Sequence, residues 1–152
     1  MITKKYIESS KVAIYCTVPG RESEYVYPNA AKHHVDKICV KDGLGNLLQI
    51  QDNEVCDYLV IDRDLKHSFF VESKRSDVDK AMQSIEKTFC SLKLDIIGEG
   101  ICVFHMRIVV PAYPGPRTNV KKKESDINVK WKKTAGNLGN ARIGVGTLTE
   151  EI

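Results

Sequence analysis

Asp57, Glu72 and Lys74 stand in the order D-x14-E-x-K, two acids and an amine set among apolar residues. Two carboxylates with nearby carbonyl oxygens make a hard-oxygen ligand set suited to Mg²⁺ or Mn²⁺. A dication held there orients water and stabilises charge on a scissile phosphate. An ammonium beside it stabilises the phosphorane-like oxygens, or helps to position and deprotonate the attacking water. This is the equipment of a phosphodiesterase. The competing reading is a solvated strand face with an ion pair, since a carboxylate and a lysine two apart on a strand make one easily.

The elements that must hold these groups are two apolar runs, residues 56–62 and 68–74, joined by the polar stretch 63–67. That spacing suits an antiparallel hairpin with a loop longer than the tight two-residue kind. Side chains alternate along a strand, so Glu72 and Lys74 share a face and Ser73 points away. Asp57 joins them only in one class of register: opposed residue numbers must sum to 129 or 131, not 130.

The run Ser76-Asp-Val-Asp that follows is an N-cap signature with acids in the first turn. Beyond it Val78, Ala81, Met82, Ile85, Phe89 and Leu92 form one apolar stripe of helical period. Residues 101–110 read as a strand, stopped by Pro111, Pro114, Gly115 and Pro116. Upstream, 35–41 reads as a strand entering a turn at Asp42-Gly43, with 47–50 as a hairpin partner. Residues 11–18 are strand-like, 21–34 show no clean period, and 141–148 suit a last edge strand. Strand, strand, strand, helix, strand is a mixed α/β order, and 152 residues fit one domain spanning 1–152.

Net charge is +3, but residues 117–133 alone carry +5, from seven basic and two acidic side chains, so the remainder is slightly acidic. Lys121, Lys122, Lys123, Lys130, Lys132 and Lys133 are candidates for phosphate contact, with affinity that falls as salt rises. Trp131, among three of these lysines, is a candidate for stacking on an unpaired base. The plainer alternatives are a solvated lysine-rich helix or mobile loop, and a Trp that anchors it to the core.

Other chemistries find less support. His33 and His34 are adjacent, so in a strand they point oppositely; His67 falls in the hairpin loop and His105 mid-strand, and neither has a third ligand. Gly136, Gly139, Gly144 and Gly146 match neither a dinucleotide fingerprint nor a phosphate loop. Cys16, Cys39, Cys56, Cys90 and Cys102 are odd in number and lack zinc spacing, which reads as five reduced, mostly buried thiols. No membrane-length apolar run is present and the first residues lack a leader's apolar region, so a cytoplasmic protein is expected.

The passage from Cys56 through the E-x-K to the capped helix resembles the PD-(D/E)XK, or restriction-endonuclease-like, nuclease superfamily, over about 35–110. The resemblance implies a restriction-endonuclease-like core, a mixed central β-sheet flanked by helices. It implies that Asp57 and Glu72 bind Mg²⁺ or Mn²⁺ and that Lys74 acts in hydrolysis of phosphodiester bonds, with DNA as the expected partner. It also implies that Gln83, on the helix about 140° from Val78, lies near the substrate. Active members often add a Glu from an N-terminal helix, for which Glu8, Glu22 and Glu24 are the candidates. Small nucleases of this type commonly form homodimers, and some members keep the fold without catalysis and bind nucleic acid or a partner protein instead.

Overall fold

The computed structural model describes residues 7–8, 13–18, 20, 22–41, 55–75 and 77–151, with the backbone alone for Ile7 and Glu8. Its elements are β1 (Ile7–Glu8), β2 (Ala13–Thr17), β3 (Glu24–Pro28), β4 (Val35–Cys39), β5 (Tyr58–Asp62), β6 (His67–Ser73), α1 (Val78–Gly98), β7 (Val103–Val110), α2 (Arg117–Ala135), β8 (Ala141–Val145) and β9 (Thr147–Thr149). The chain is mixed α/β, and the sequence of β4, β5, β6, α1 and β7 follows the expected order.

Six strands form the main sheet in the order β1-β4-β5-β6-β7-β8, and β2-β3-β9 form a second sheet. The pairs β4–β5 and β5–β6 are antiparallel, while β6–β7 and β7–β8 are parallel. Parallel neighbours need a crossover, and α1 and α2 supply the two. Both edges of β4 are taken, by β1 and β5; the anticipated partner 47–50 lies outside the described residues.

The main sheet is buried on both sides. On one, Leu59, Ile61, Phe70, Met106 and Ile108 pack under α1 and α2; on the other, Val60, Phe69, Val71 and Val109 meet Ile14, Tyr25, Tyr27 and Leu148 of the small sheet. This explains why β5, β6 and β7 read as continuous apolar runs. The stripe on α1 is buried as its period requires, and Asp77 caps the helix by accepting the Lys80 amide at 3.0 Å.

Residues 117–135 form a helix, with only Ile127 and Trp131 buried, one turn apart. Trp131 is fully buried; its Nε1 donates to the Phe104 carbonyl at 3.0 Å, and its ring meets Phe89 edge-on at 5.2 Å. It therefore corrects the stacking expectation: an indole enclosed between helix and sheet offers no face to a base.

The anticipated strand 141–148 is divided. Gly146 takes φ +79°, a conformation that favours glycine, and turns the chain from the edge strand β8 into β9 of the second sheet. The thiols are less buried than expected: Cys16 and Cys56 are enclosed, Cys39 is half-buried, and Cys90 and Cys102 are exposed. Among the described residues, no helix is long and apolar enough to cross a membrane.

Candidate functional site

The β5–β6 hairpin takes the register that brings the acids together. Tyr58 opposes Val71 and Asp62 opposes His67, so opposed numbers sum to 129. The turn sets this: Asp62 closes residues 63–66 by accepting the Asp64 and Leu65 amides at 3.1 and 3.0 Å. An Asx-type turn of that length fixes which residues pair along the whole hairpin. At its open end, Asp57 and Glu72 consequently meet on the side covered by the helices.

Asp57 is 7% exposed and Glu72 is fully buried. Asp57 Oδ2 accepts the Ser73 amide at 2.8 Å, which fixes the carboxylate and leaves Oδ1 pointing to the centre of the cluster. Lys74 Nζ lies 3.7 Å from Glu72 Oε2. A second amine, unforeseen from the sequence, completes the group: Lys41 Nζ lies 3.0 Å from Asp57 Oδ1 and 3.7 Å from Glu72 Oε1.

Among the described residues, neither oxygen of Glu72 has a hydrogen-bond partner, although both are buried. Buried carboxylate oxygens are normally hydrogen-bonded as well as neutralised; here two ammoniums at 3.7 Å supply charge without a hydrogen bond, which leaves room for a donor, a cation or a proton. Burial, and after it the Asp57 carboxylate, push the Glu72 pKa up to about 8, against the pull of Lys41 and Lys74. Burial works against the Lys41 ammonium, but Glu72 and Asp57 outweigh it and hold its pKa above the ordinary lysine value.

A pH effect follows. With divalent cations chelated, folded Glu72 holds its proton more tightly than the unfolded chain does. Its contribution to stability is complete below the ordinary carboxylate range and is lost as pH rises through the folded value. In urea titrations, wild type is expected to lose stability relative to Glu72→Gln as pH rises from about 5 to about 8.5. Parallel curves for the two proteins contradict the assignment.

The remaining expected residues are distributed unevenly. Gln83 is exposed on α1, and no hydrogen bond joins it to Asp57, Glu72 or Lys74 among the described residues. Glu22 and Glu24 lie at the second sheet, across the main sheet from the acids; no helix precedes β4 among the described residues, and Glu8 stands on the edge strand β1. Lys121, Lys122, Lys130 and Lys133 are exposed on α2, and Lys132 is half-buried. Lys123 pairs with Asp79 at 2.7 Å, joining α2 to the first turn of α1, just after Lys74. The basic helix therefore lies on the same side of the sheet as the acids.

Of the other polar clusters among the described residues, two could serve chemistry. His33, Asp62 and Asp64 place one ligand atom each within 4.8 Å of one another, a spacing that could hold a metal ion. Asp62 is already committed there: besides the two amides, its Oδ2 accepts Tyr27 Oη at 2.7 Å and faces His33 Nδ1 at 2.8 Å. Against burial, the bonds from His33, the Leu65 amide and Tyr27 hold the Asp62 pKa below the ordinary carboxylate value. This cluster serves the turn that sets the register.

The second cluster walls a cleft of about 650 Å³ at the β8 edge of the main sheet, lined by His67, Phe69, His105, Arg107 and Glu150 and reaching Glu124 and Asn128 of α2. His67 starts β6, rather than lying in the loop, and its Nδ1 is 2.9 Å from His105 Nε2. The Asn140 amide donates to His105 Nδ1 at 3.2 Å, and burial, then Arg107, lower the His105 pKa to about 4, so this imidazole is neutral near pH 7. Glu150 accepts Arg107 Nε at 2.6 Å and Tyr25 Oη at 2.7 Å, a closed network across the two sheets.

Compared with known proteins, the chain matches no family model, no curated protein and no solved structure. The structure and its chemistry therefore define the class: a mixed α/β fold with a buried pair of carboxylates, Asp57 and Glu72, beside two lysines.

Proposed function

We propose that the chain is a metal-dependent nuclease of the PD-(D/E)XK type, with a restriction-endonuclease-like core and a phosphodiester, most simply in DNA, as substrate. The observation that carries this reading is Glu72, buried beside Asp57 with both oxygens lacking a hydrogen-bond donor among the described residues. The donor set suits Mg²⁺ or Mn²⁺: Asp57 Oδ1 and the Glu72 oxygens would hold it. Such a cation supplies charge stabilisation at the phosphate and a more acidic water.

The chain's own groups do the rest. The Ser73 amide fixes Asp57 in place. Lys74, close to Glu72 and partly exposed, offers its ammonium to the phosphate oxygens or to the attacking water. The lysines of α2, on the same side of the sheet, hold the backbone of the polyanion through charge alone. Replacing Lys121, Lys122 and Lys130 with Gln is expected to weaken DNA binding for all sequences and to flatten its salt dependence by about one slope unit per lysine. Fluorescence anisotropy at graded salt measures this; an unchanged slope excludes α2 as the contact.

The competing proposal is a catalytically inactive relative that binds nucleic acid or a partner protein. Lys41 favours it, because its ammonium already lies between the acids. Incubation with single-stranded, duplex and branched DNA in Mg²⁺ separates the two. Mg²⁺-dependent cutting is the expected result, and salt-sensitive binding without cutting supports the inactive relative.

A further inference from the structure

The position of Lys41 has a consequence for cation binding. Its Nζ is 3.0 Å from Asp57 Oδ1 and 3.7 Å from Glu72 Oε1, whereas among the described residues Lys74 Nζ pairs with Glu72 and not with Asp57. Lys41 thus stands where one positive charge compensates both acids. A dication on Asp57 Oδ1 would compete with the Lys41 ammonium, which already holds that oxygen at hydrogen-bond distance, and the two like charges repel in a poorly hydrated site.

We propose that Lys41 is the site's internal counter-cation, and that a divalent cation reaches Asp57 and Glu72 by displacing it. This rests on the reading of those two acids as metal ligands. Three features make Lys41 the group that yields. Its side chain is 30% exposed, so the departing ammonium has solvent to enter. It rides on a flexible four-carbon stem, and its contact with Glu72 is an ion pair too long for a hydrogen bond. It also follows the end of β4, past the last strand residue Cys39, so its movement leaves the sheet ladder intact.

Displacement sets affinity. Every divalent cation that binds must first break the Lys41 contacts, so the ammonium acts as a competing ligand always present at high local concentration. The same contacts keep the acids compensated when divalent cations are scarce. Lys41 thereby sets the concentration at which the site loads.

Calorimetric titration of the full-length chain with Mn²⁺ tests this, using wild type, Lys41→Met, Lys41→Gln, Lys41→Arg and Asp57→Asn. Lys41→Met and Lys41→Gln are expected to bind Mn²⁺ about tenfold more tightly than wild type. Lys41→Arg keeps the charge and stays near wild type, and Asp57→Asn loses the site. Mn²⁺ is also expected to raise the melting temperature of Lys41→Met more than that of wild type. In the unmodified protein, Mg²⁺ should move the Lys41 ammonium resonance toward that of a solvated lysine, a readout that needs no variant to fold. If wild type binds Mn²⁺ through Asp57 while the uncharged variants bind no more tightly, displacement is wrong and the metal site stands. If no folded variant binds Mn²⁺ and the resonance stays put, the metal reading fails and this inference with it.

Discussion

Lys74→Ala is expected to lower Mg²⁺-dependent cleavage by about 10² to 10⁴-fold, the usual effect of removing a group that transfers a proton or stabilises charge in the transition state. Lys74 lies at the protein's surface beyond the last residue of β6, with 21% of its side chain exposed, so its truncation should cost little stability. The defect should therefore appear in turnover and leave the melting temperature and DNA affinity near wild type. Lys74→Arg restores charge without the lysine's geometry and should recover only part of the rate. Cleavage by Lys74→Ala at the wild-type rate would remove Lys74 from the mechanism.

The second large effect is on stability. Trp131→Ala should cost about 3 to 5 kcal/mol, the range for deleting a large buried aromatic, against about 5 to 15 kcal/mol for a whole domain. The indole fills the space between α2, Phe70, Phe89 and the sheet, and its loss also leaves the Phe104 carbonyl without its donor. Urea denaturation should show a markedly lower midpoint. Trp131→Phe, which keeps most of the packing and loses the hydrogen bond, should cost less. DNA affinity of the folded Trp131→Phe protein should match wild type, because the ring faces the core; a selective loss of binding to single strands would revive a stacking role.

The sequence disclosed the elements in which one physical pattern acts alone. The α1 stripe from Val78 to Leu92 is legible because a helix against a sheet buries one face, and each of its six stripe positions is buried. The alternation that joins Glu72 to Lys74 is legible for the same reason. Register was not legible, because periodicity allows both parities; Asp62 decides it through turn hydrogen bonds that spacing does not reveal.

Lys41 was hidden by the same alternation that exposed Glu72. Continued as an extended strand, 35–41 would send Lys41 to the side opposite Ile38 and Val40, toward the small sheet. The strand ends at Cys39, and the side chain reaches the acids instead. The small sheet escaped because β3 pairs in parallel with β9 from the far end of the chain, a contact with no local signal. Its buried tyrosines, Tyr25 and Tyr27, carry hydroxyls bonded to Glu150 and Asp62, so polar atoms mask the apolar period. Trp131 was ambiguous because its lysine neighbours describe the exposed face of α2, and two buried positions one turn apart give little amphipathic pattern.

The most direct test of the central claim is a crystal soaked in Mn²⁺ and measured for anomalous scattering. A peak in contact with carboxylate oxygens of both Asp57 and Glu72, with the Lys41 ammonium moved aside, is the predicted result. Lys41 still seated between the two acids, with manganese absent or held only by His33, Asp62 and Asp64, would contradict it.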